Sequence, residues 1–159
     1  RGPAVSLVNA FKFRGLPSAA RAAGAVMARE MLARRGLSGF DALVPVPLHP
    51  ERERRRGYNQ AEILSREIGA ATGLPILSLL ERRGWGAPSW RLGRIERRTA
   101  LSGAFTFRSG CEKSAEGKRL LLIDDVCATG TTLEECARAL RKAGADDVAG
   151  WVFARAGSI

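Results

Sequence analysis

The chain has 159 residues, a formal net charge of +10 and a sequence pI of about 10.9. Hydrophobic content of 45% and charged content of 26% are values of a folded domain with a proper core, which argues against a disordered tail. The basic excess points to a polyanionic partner, nucleic acid or a multiply phosphorylated small molecule, with a merely solubilising surface as the alternative.

Ser18 is predicted to cap an alanine-rich helix, AARAAGAVMAREMLARR, that ends near Gly36. Residues 42–48, ALVPVPL, read as a short buried strand whose prolines mark its end. Asn59 then opens NQAEILSREIGAATG, a helix with Ala61, Leu64, Ile68 and Ala71 on one face and Gly73 as terminator. Residues 74–80, LPILSLL, are a second candidate strand. From 84 to 103 the pattern gives way to a Gly-, Trp- and Arg-rich segment, long enough to be functional or mobile. GAFTF and RLLLI are predicted strands, residues 131–144 a helix, and DVAGWVFARA a last strand. Strands alternating with helices imply an α/β fold, a mainly parallel sheet with helices on both faces.

The three cysteines, Cys111, Cys127 and Cys136, are odd in number and have no CxxC spacing. A disulfide framework or a structural zinc site is not expected, and a reducing cytoplasm fits best. No apolar run approaches the ~18 residues of a membrane span, so no membrane insertion is expected. The N-terminal segment lacks a signal-peptide layout, and a start at Arg1 reads as a trimmed chain or a fragment.

The chemistry concentrates in LLLIDDVCATGTT, residues 120–132. A buried strand over 120–123 delivers Asp124 and Asp125 to its carboxyl end, the edge where open α/β sheets bind ligands. Thr129, Gly130, Thr131 and Thr132 then turn the chain into a helix. Unpaired N–H groups at a helix start favour phosphate, Gly130 allows close backbone approach, and the threonines add hydroxyl donors. The acids repel that phosphate, but they suit vicinal hydroxyls or Mg²⁺-bound water. A sugar phosphate satisfies the whole arrangement: the acids hold a ribose and the loop its 5′-phosphate. A P-loop would need GxxxxGK[ST] and a dinucleotide fold GxGxxG, and neither occurs. A capping box of Thr131 with Glu134 accounts for one threonine only.

LLLIDDVCATGTT resembles the ribosyl-phosphate signature of type I phosphoribosyltransferases. PVPLHPERERRRGYNQAE and ERRTALSGAF resemble, more narrowly, the competence-associated ComF family, and FKFRG at residues 11–15 resembles its basic N-terminal motif. Departures are Ala100, where the family often has Asn, different residues near Ser89 and Trp90, and no four-cysteine zinc ribbon.

The resemblance implies a three-layer type I phosphoribosyltransferase fold over residues 1–159 as one domain. Residues 1–36 would be its helical N-terminal part and 84–103 a flexible loop over the active site. It implies phosphoribosyl pyrophosphate as ligand, with Mg²⁺ held through that ligand and waters rather than by direct protein ligands. Asp124 and Asp125 would hold the ribose, and Ala128, Thr129, Gly130, Thr131 and Thr132 the 5′-phosphate. His49, Arg52 and Arg56 would bind pyrophosphate, while Arg54 and Arg55 belong to a solvated face. His49 could equally anchor its loop, Gly57 should take a positive φ, and Asn59 with Glu62 makes a capping box. Arg91 and Arg94, with Arg97 and Arg98, would bring charge to the leaving pyrophosphate, or form an exposed basic helix face. Trp85 and Trp90 could stack on a base or pack the loop. The implied activity is pyrophosphate-releasing transfer of phosphoribosyl to an unidentified acceptor, linked to DNA uptake and competence-machinery proteins. The alternatives are a non-catalytic sensor of the same ligand or an adaptor for single-stranded nucleic acid.

Overall fold

The computed structural model describes residues 3–34, 39–83 and 101–155. In chain order it forms α1 (Pro3–Phe13), α2 (Pro17–Ala33), β1 (Ala42–Pro45), α3 (Pro50–Arg56), α4 (Gln60–Thr72), β2 (Leu80–Arg82) and β3 (Phe105–Phe107). It continues with β4 (Arg119–Cys127), α5 (Thr131–Lys142) and β5 (Asp147–Arg155). β4 lies between β1 and β5 and pairs parallel with both, while β2 and β3 form a separate antiparallel ribbon. This is an α/β arrangement with helices on both faces of a parallel sheet.

Alternation along β4 divides the core in two. Leu120 and Leu122 face α5 and the ribbon, where Leu80, Phe105, Cys136 and Leu140 are buried with them. Leu121 and Ile123 face the opposite side and pack with Phe11, Met27, Met31, Leu64 and Ile68 of α1, α2 and α4. Each fully buried large apolar side chain is worth ~1.5–3 kcal/mol, and covering both faces explains why the strand reads as an unbroken apolar run. The alanine-rich composition of α2 serves close approach: a Cβ on Gly24 would lie 2.8 Å from the Glu67 Cβ and 3.3 Å from the Leu64 Cα.

Several elements differ from expectation. α2 starts at Pro17 with Leu16 as N-cap, not at Ser18. Proline suits the first helical position because the N–H it lacks would be unpaired there. The expected stop near Gly36 falls outside the described residues; the described helix closes at Ala33. β1 stops at Pro45; the Val46 N–H still donates to the Ile123 carbonyl at 3.0 Å, and Pro47 has no N–H with which to continue. LPILSLL is not a regular strand. Ile76 makes one parallel bridge to Leu43, beside Pro75, which has no N–H to give a ladder, and only Leu80 enters β2, where it pairs with β3.

α4 follows its sequence signals closely. The Asn59 side chain accepts from the Ala61 N–H at 3.0 Å, and Gly73 closes the helix at φ 77. Ala61, Leu64 and Ile68 are buried, but Ala71 is exposed and Ser65 is buried instead. Donation from the Ser65 hydroxyl to the Ala61 carbonyl at 2.8 Å makes that burial tolerable. Among the described residues, no helix is long and apolar enough to cross a membrane.

Candidate functional site at the carboxyl edge of the sheet

β4 does not end at Ile123. β1 stops opposite Ile123, whereas β5 pairs with β4 as far as Cys127, so Asp124 and Asp125 lie on a strand that has outrun one neighbour. Their carboxylates take up the local main chain: the Asp125 N–H donates to Asp124 Oδ1 at 2.8 Å and the Val126 N–H to Asp125 Oδ1 at 2.7 Å. A cleft of about 610 Å³ opens beside them, and its walls include Lys12, Phe13, Arg52, Arg56, Arg82 and Thr132.

Alternation sends the two acids to different surroundings. Asp125 follows Leu121 and Ile123 toward α1, where Lys12 Nζ lies 2.9 Å from its Oδ2. That buried oxygen has the ammonium charge beside it but no aligned hydrogen bond. Asp124 follows Leu120 and Leu122 toward α5 and the ribbon. Burial pushes its carboxyl well above the usual carboxylate range, and the neighbouring Asp125 charge adds to the shift; the Asp125 N–H and Lys12 oppose it. One acid is thus held as a paired carboxylate, and the other holds a proton more tightly than an ordinary carboxylate does.

A second hollow of about 220 Å³ follows the turn from Val126 to Leu133, with Lys12 and Asp124 at its rim. Gly130 is the N-cap of α5 at φ 85, and no side chain caps the helix. The expected capping box is therefore absent. Thr131 is the first helical residue, and its hydroxyl lies 3.0 Å from that of Thr129. With no side chain spent on the first-turn amides, those donors and their partial positive charge are left for an anion. Ala128, Thr129, Gly130, Thr131 and Thr132 all line this hollow.

The loop after β1 supplies cations. His49 is the N-cap of α3, its Nδ1 accepting from the Glu51 N–H at 3.2 Å, so it anchors the loop. Arg52 and Arg56 face the cleft, and Arg56 donates to the Gln60 side chain. Burial pulls the Arg56 guanidinium below its ordinary pKa, a shift that Asp125 partly offsets. Arg54 and Arg55 are exposed, with Arg55 paired to Glu51 at 2.9 Å, as a solvated face requires. Gly57 takes φ 85 at the end of α3. Arg91, Arg94, Arg97, Arg98, Trp85 and Trp90 lie outside the described residues.

Lys12 and Phe13 had no site role in the sequence reading, and Arg82 joins them on the cleft wall. Lys12 comes from FKFRG, where Phe11 is a buried anchor whose carbonyl accepts from Tyr58 Oη at 2.6 Å. Phe13, 78% exposed, stands beside it on the cleft wall. Arg82 enters from β2. FKFRG held a signal, a cation flanked by aromatics, but nothing local in it shows which distant carboxylate it meets.

A sequence profile for the phosphoribosyl transferase domain matches residues 54–158. Competence protein F of Haemophilus influenzae is 37% identical over 117 residues, which cover 73% of this chain and 51% of that protein. DNA utilization protein YhgH of Salmonella typhi is 31% identical over 157 residues, 96% of this chain and 67% of that one. The chain thus spans about half to two thirds of the length of these relatives. Among solved structures, the glutamine phosphoribosylpyrophosphate amidotransferase from B. subtilis superposes with a TM-score of 0.56 at 20% identity, over 86% of this chain and 26% of that one. That likeness is one of fold.

Proposed function

Because the chain belongs to the phosphoribosyl transferase domain family and, within it, to the ComF group, we propose that its cleft binds phosphoribosyl pyrophosphate with Mg²⁺ and transfers phosphoribosyl to an acceptor. One observation carries this reading. A hydroxyl-seeking acid pair, an uncapped helix start and a cationic loop meet around one cleft, and a ribose with phosphate at one end and pyrophosphate at the other presents those three chemistries. Asp124 and Asp125 receive the ribose hydroxyls, residues 128–132 the 5′-phosphate, and Arg52 and Arg56 the pyrophosphate, on a loop that His49 holds in place.

As the C1–O bond breaks, its electron pair leaves on pyrophosphate and the acceptor bonds to C1. That step needs neutralisation of the leaving group more than it needs a strong base. Arg52 and Arg56 supply it from the described loop; Arg91 and Arg94 are assigned to the same task by family likeness. Mg²⁺ adds charge neutralisation at the pyrophosphate. The donor set fits an ion that keeps its waters, since one of the two acids is already committed to Lys12. Residues 1–159 are read as one such domain. The free cysteines fit a reducing cytoplasm.

Titration calorimetry with phosphoribosyl pyrophosphate and Mg²⁺, followed by an assay for released pyrophosphate, tests binding and transfer separately. Binding without release under any acceptor tried would favour a ligand-binding sensor over a transferase. The loop assignment has its own variant, Gly130→Val. A Cβ there would meet only Glu134 Oε1 at 3.6 Å, so crowding is not the obstacle; φ 85 is. A β-branched residue resists that angle at a cost of ~1–3 kcal/mol and should pull the first-turn amides out of line. Affinity for ribose 5-phosphate should fall about tenfold or more. Unchanged affinity would remove the 5′-phosphate from this loop.

The relatives' names, a competence protein and a DNA utilization protein, together with the +10 charge, favour a second reading in which the basic surface also carries single-stranded DNA. Arg55 and Arg83 are engaged by Glu51 and Glu81, so any groove must draw on other arginines. Fluorescence anisotropy with a labelled oligonucleotide should then give a log–log salt slope of about −0.7 per neutralised phosphate. Absence of binding at low salt, or complete displacement by phosphoribosyl pyrophosphate, would end this reading.

A further inference from the structure

Among the described residues, Arg82 is a cation with no ion-pair partner. On β2, Glu81 and Arg83 point outward and bond each other, the Arg83 Nε–H donating to Glu81 Oε1 at 2.6 Å. Arg82 alternates inward beside Leu80 and lies over the Phe105 ring at 5.3 Å from its centroid. Its Nε–H is buried and without an acceptor, and no carboxylate pairs with it among the described residues. Its side chain forms part of the cleft wall that also holds Arg52 and Asp124. Burial, and then the like charge of Arg52, draw its pKa below the ordinary value, while Asp124 lies near enough to favour the charged form without bonding it. A guanidinium with a buried, orphan N–H on the same cleft wall as a second arginine is costly without a counter-ion. An anion between the two arginines removes that cost, and a guanidinium fork suits phosphate oxygens.

We propose that Arg82 and Arg52 form a two-sided clamp for the pyrophosphate group, one arm from the ribbon and the other from α3. This rests on the reading of the cleft as a phosphoribosyl pyrophosphate site, and it adds a binding residue from an element outside the motifs that carry the family likeness. The aromatic stacking on Phe105 keeps the side chain in place, so the arm is set before ligand arrives. Ribose and 5′-phosphate, held at β4 and α5, do not depend on it.

The test is calorimetric titration of magnesium pyrophosphate and, separately, ribose 5-phosphate into wild type, Arg82→Met and Arg82→Lys. Arg82→Met should weaken pyrophosphate binding roughly 10- to 100-fold and leave ribose 5-phosphate within about twofold. Arg82→Lys keeps the charge and the aliphatic stem but loses the fork, and should weaken pyrophosphate at least about threefold. It also decides the matter if the Met variant fails to fold. Wild-type pyrophosphate affinity in folded Arg82→Lys, or equal losses for both ligands, would overturn the clamp and leave Arg82 as a packing residue. Failure of the wild type to bind either ligand would instead bring down the reading of the whole cleft, and the clamp with it.

Discussion

Replacing Asp124 and Asp125 together by Asn is expected to weaken phosphoribosyl pyrophosphate binding at least about tenfold while the chain still folds. Hydrogen bonds to charged acceptors are worth roughly 1.5–3 kcal/mol each, and loss of both charges also removes the anchors for Mg²⁺-bound water. Calorimetric titration measures this directly, and equal affinities would remove the acids from the ligand. The single variants should then part company. Asp124 binds its proton more tightly in the fold than in the unfolded chain, where a value near 3.8 is ordinary. Its contribution to stability is therefore full below that unfolded value and is lost as pH rises through the elevated folded one. Asn cannot ionise, so thermal melts of Asp124→Asn should gain on wild type as pH rises above the ordinary carboxylate range. A pH-independent difference would mean that Asp124 is not the strained group. With the expected pH dependence, the same acid is a burden on the free fold and an asset once hydroxyl or water donors reach it.

Lys12→Met should be the most destabilising change of a half-buried residue in this region. It leaves Asp125, whose side chain is 4% exposed, charged and alone under α1. Breaking a buried pair from one side costs about 3–5 kcal/mol; Lys12 is itself 24% exposed, which places the effect at the lower end. Urea unfolding should show it, and the double variant Lys12→Met with Asp125→Asn should recover most of the loss, because no stranded charge remains. Additive effects would show that the two groups do not depend on each other. Since α1 is otherwise tied to the site by Phe11 burial and the Tyr58 bond, the Met variant should also loosen the Phe13 wall of the cleft.

The parts of this protein that were readable before any fold are those whose chemistry is local. Asp124, Asp125 and the turn through Gly130 lie within one short stretch, so a positive-φ glycine and a bare helix start could be placed by neighbours alone, whereas the end of β4 could not: pairing with β5 carries it through both acids to Cys127. α4 was equally legible, since its Asn59 cap and Gly73 stop sit within its own turns. Local signals also misled where two were close: Pro17 outranked Ser18 at the start of α2. LPILSLL had the composition of a strand, yet it makes one bridge to β1 and gives only its last residue to the ribbon with β3, a division that pairing partners decide.

Side-chain facing is where the tertiary structure decided. Arg82 and Arg83 are the same residue type side by side, and a ribbon shifted by one register would exchange their faces. Only the pairing of Arg82 with Phe105 turns one arginine into the cleft and leaves the other on Glu81. Likewise, the last turn of α1 and the end of β4 are far apart along the chain, and only the packing of Phe11 under α2 and α4 brings Lys12 to Asp125. Which elements form, and where an anion meets a backbone, follow from neighbours in sequence. Which charges meet each other follows from burial of the apolar residues beside them, because packing sets the direction in which every intervening polar group must point.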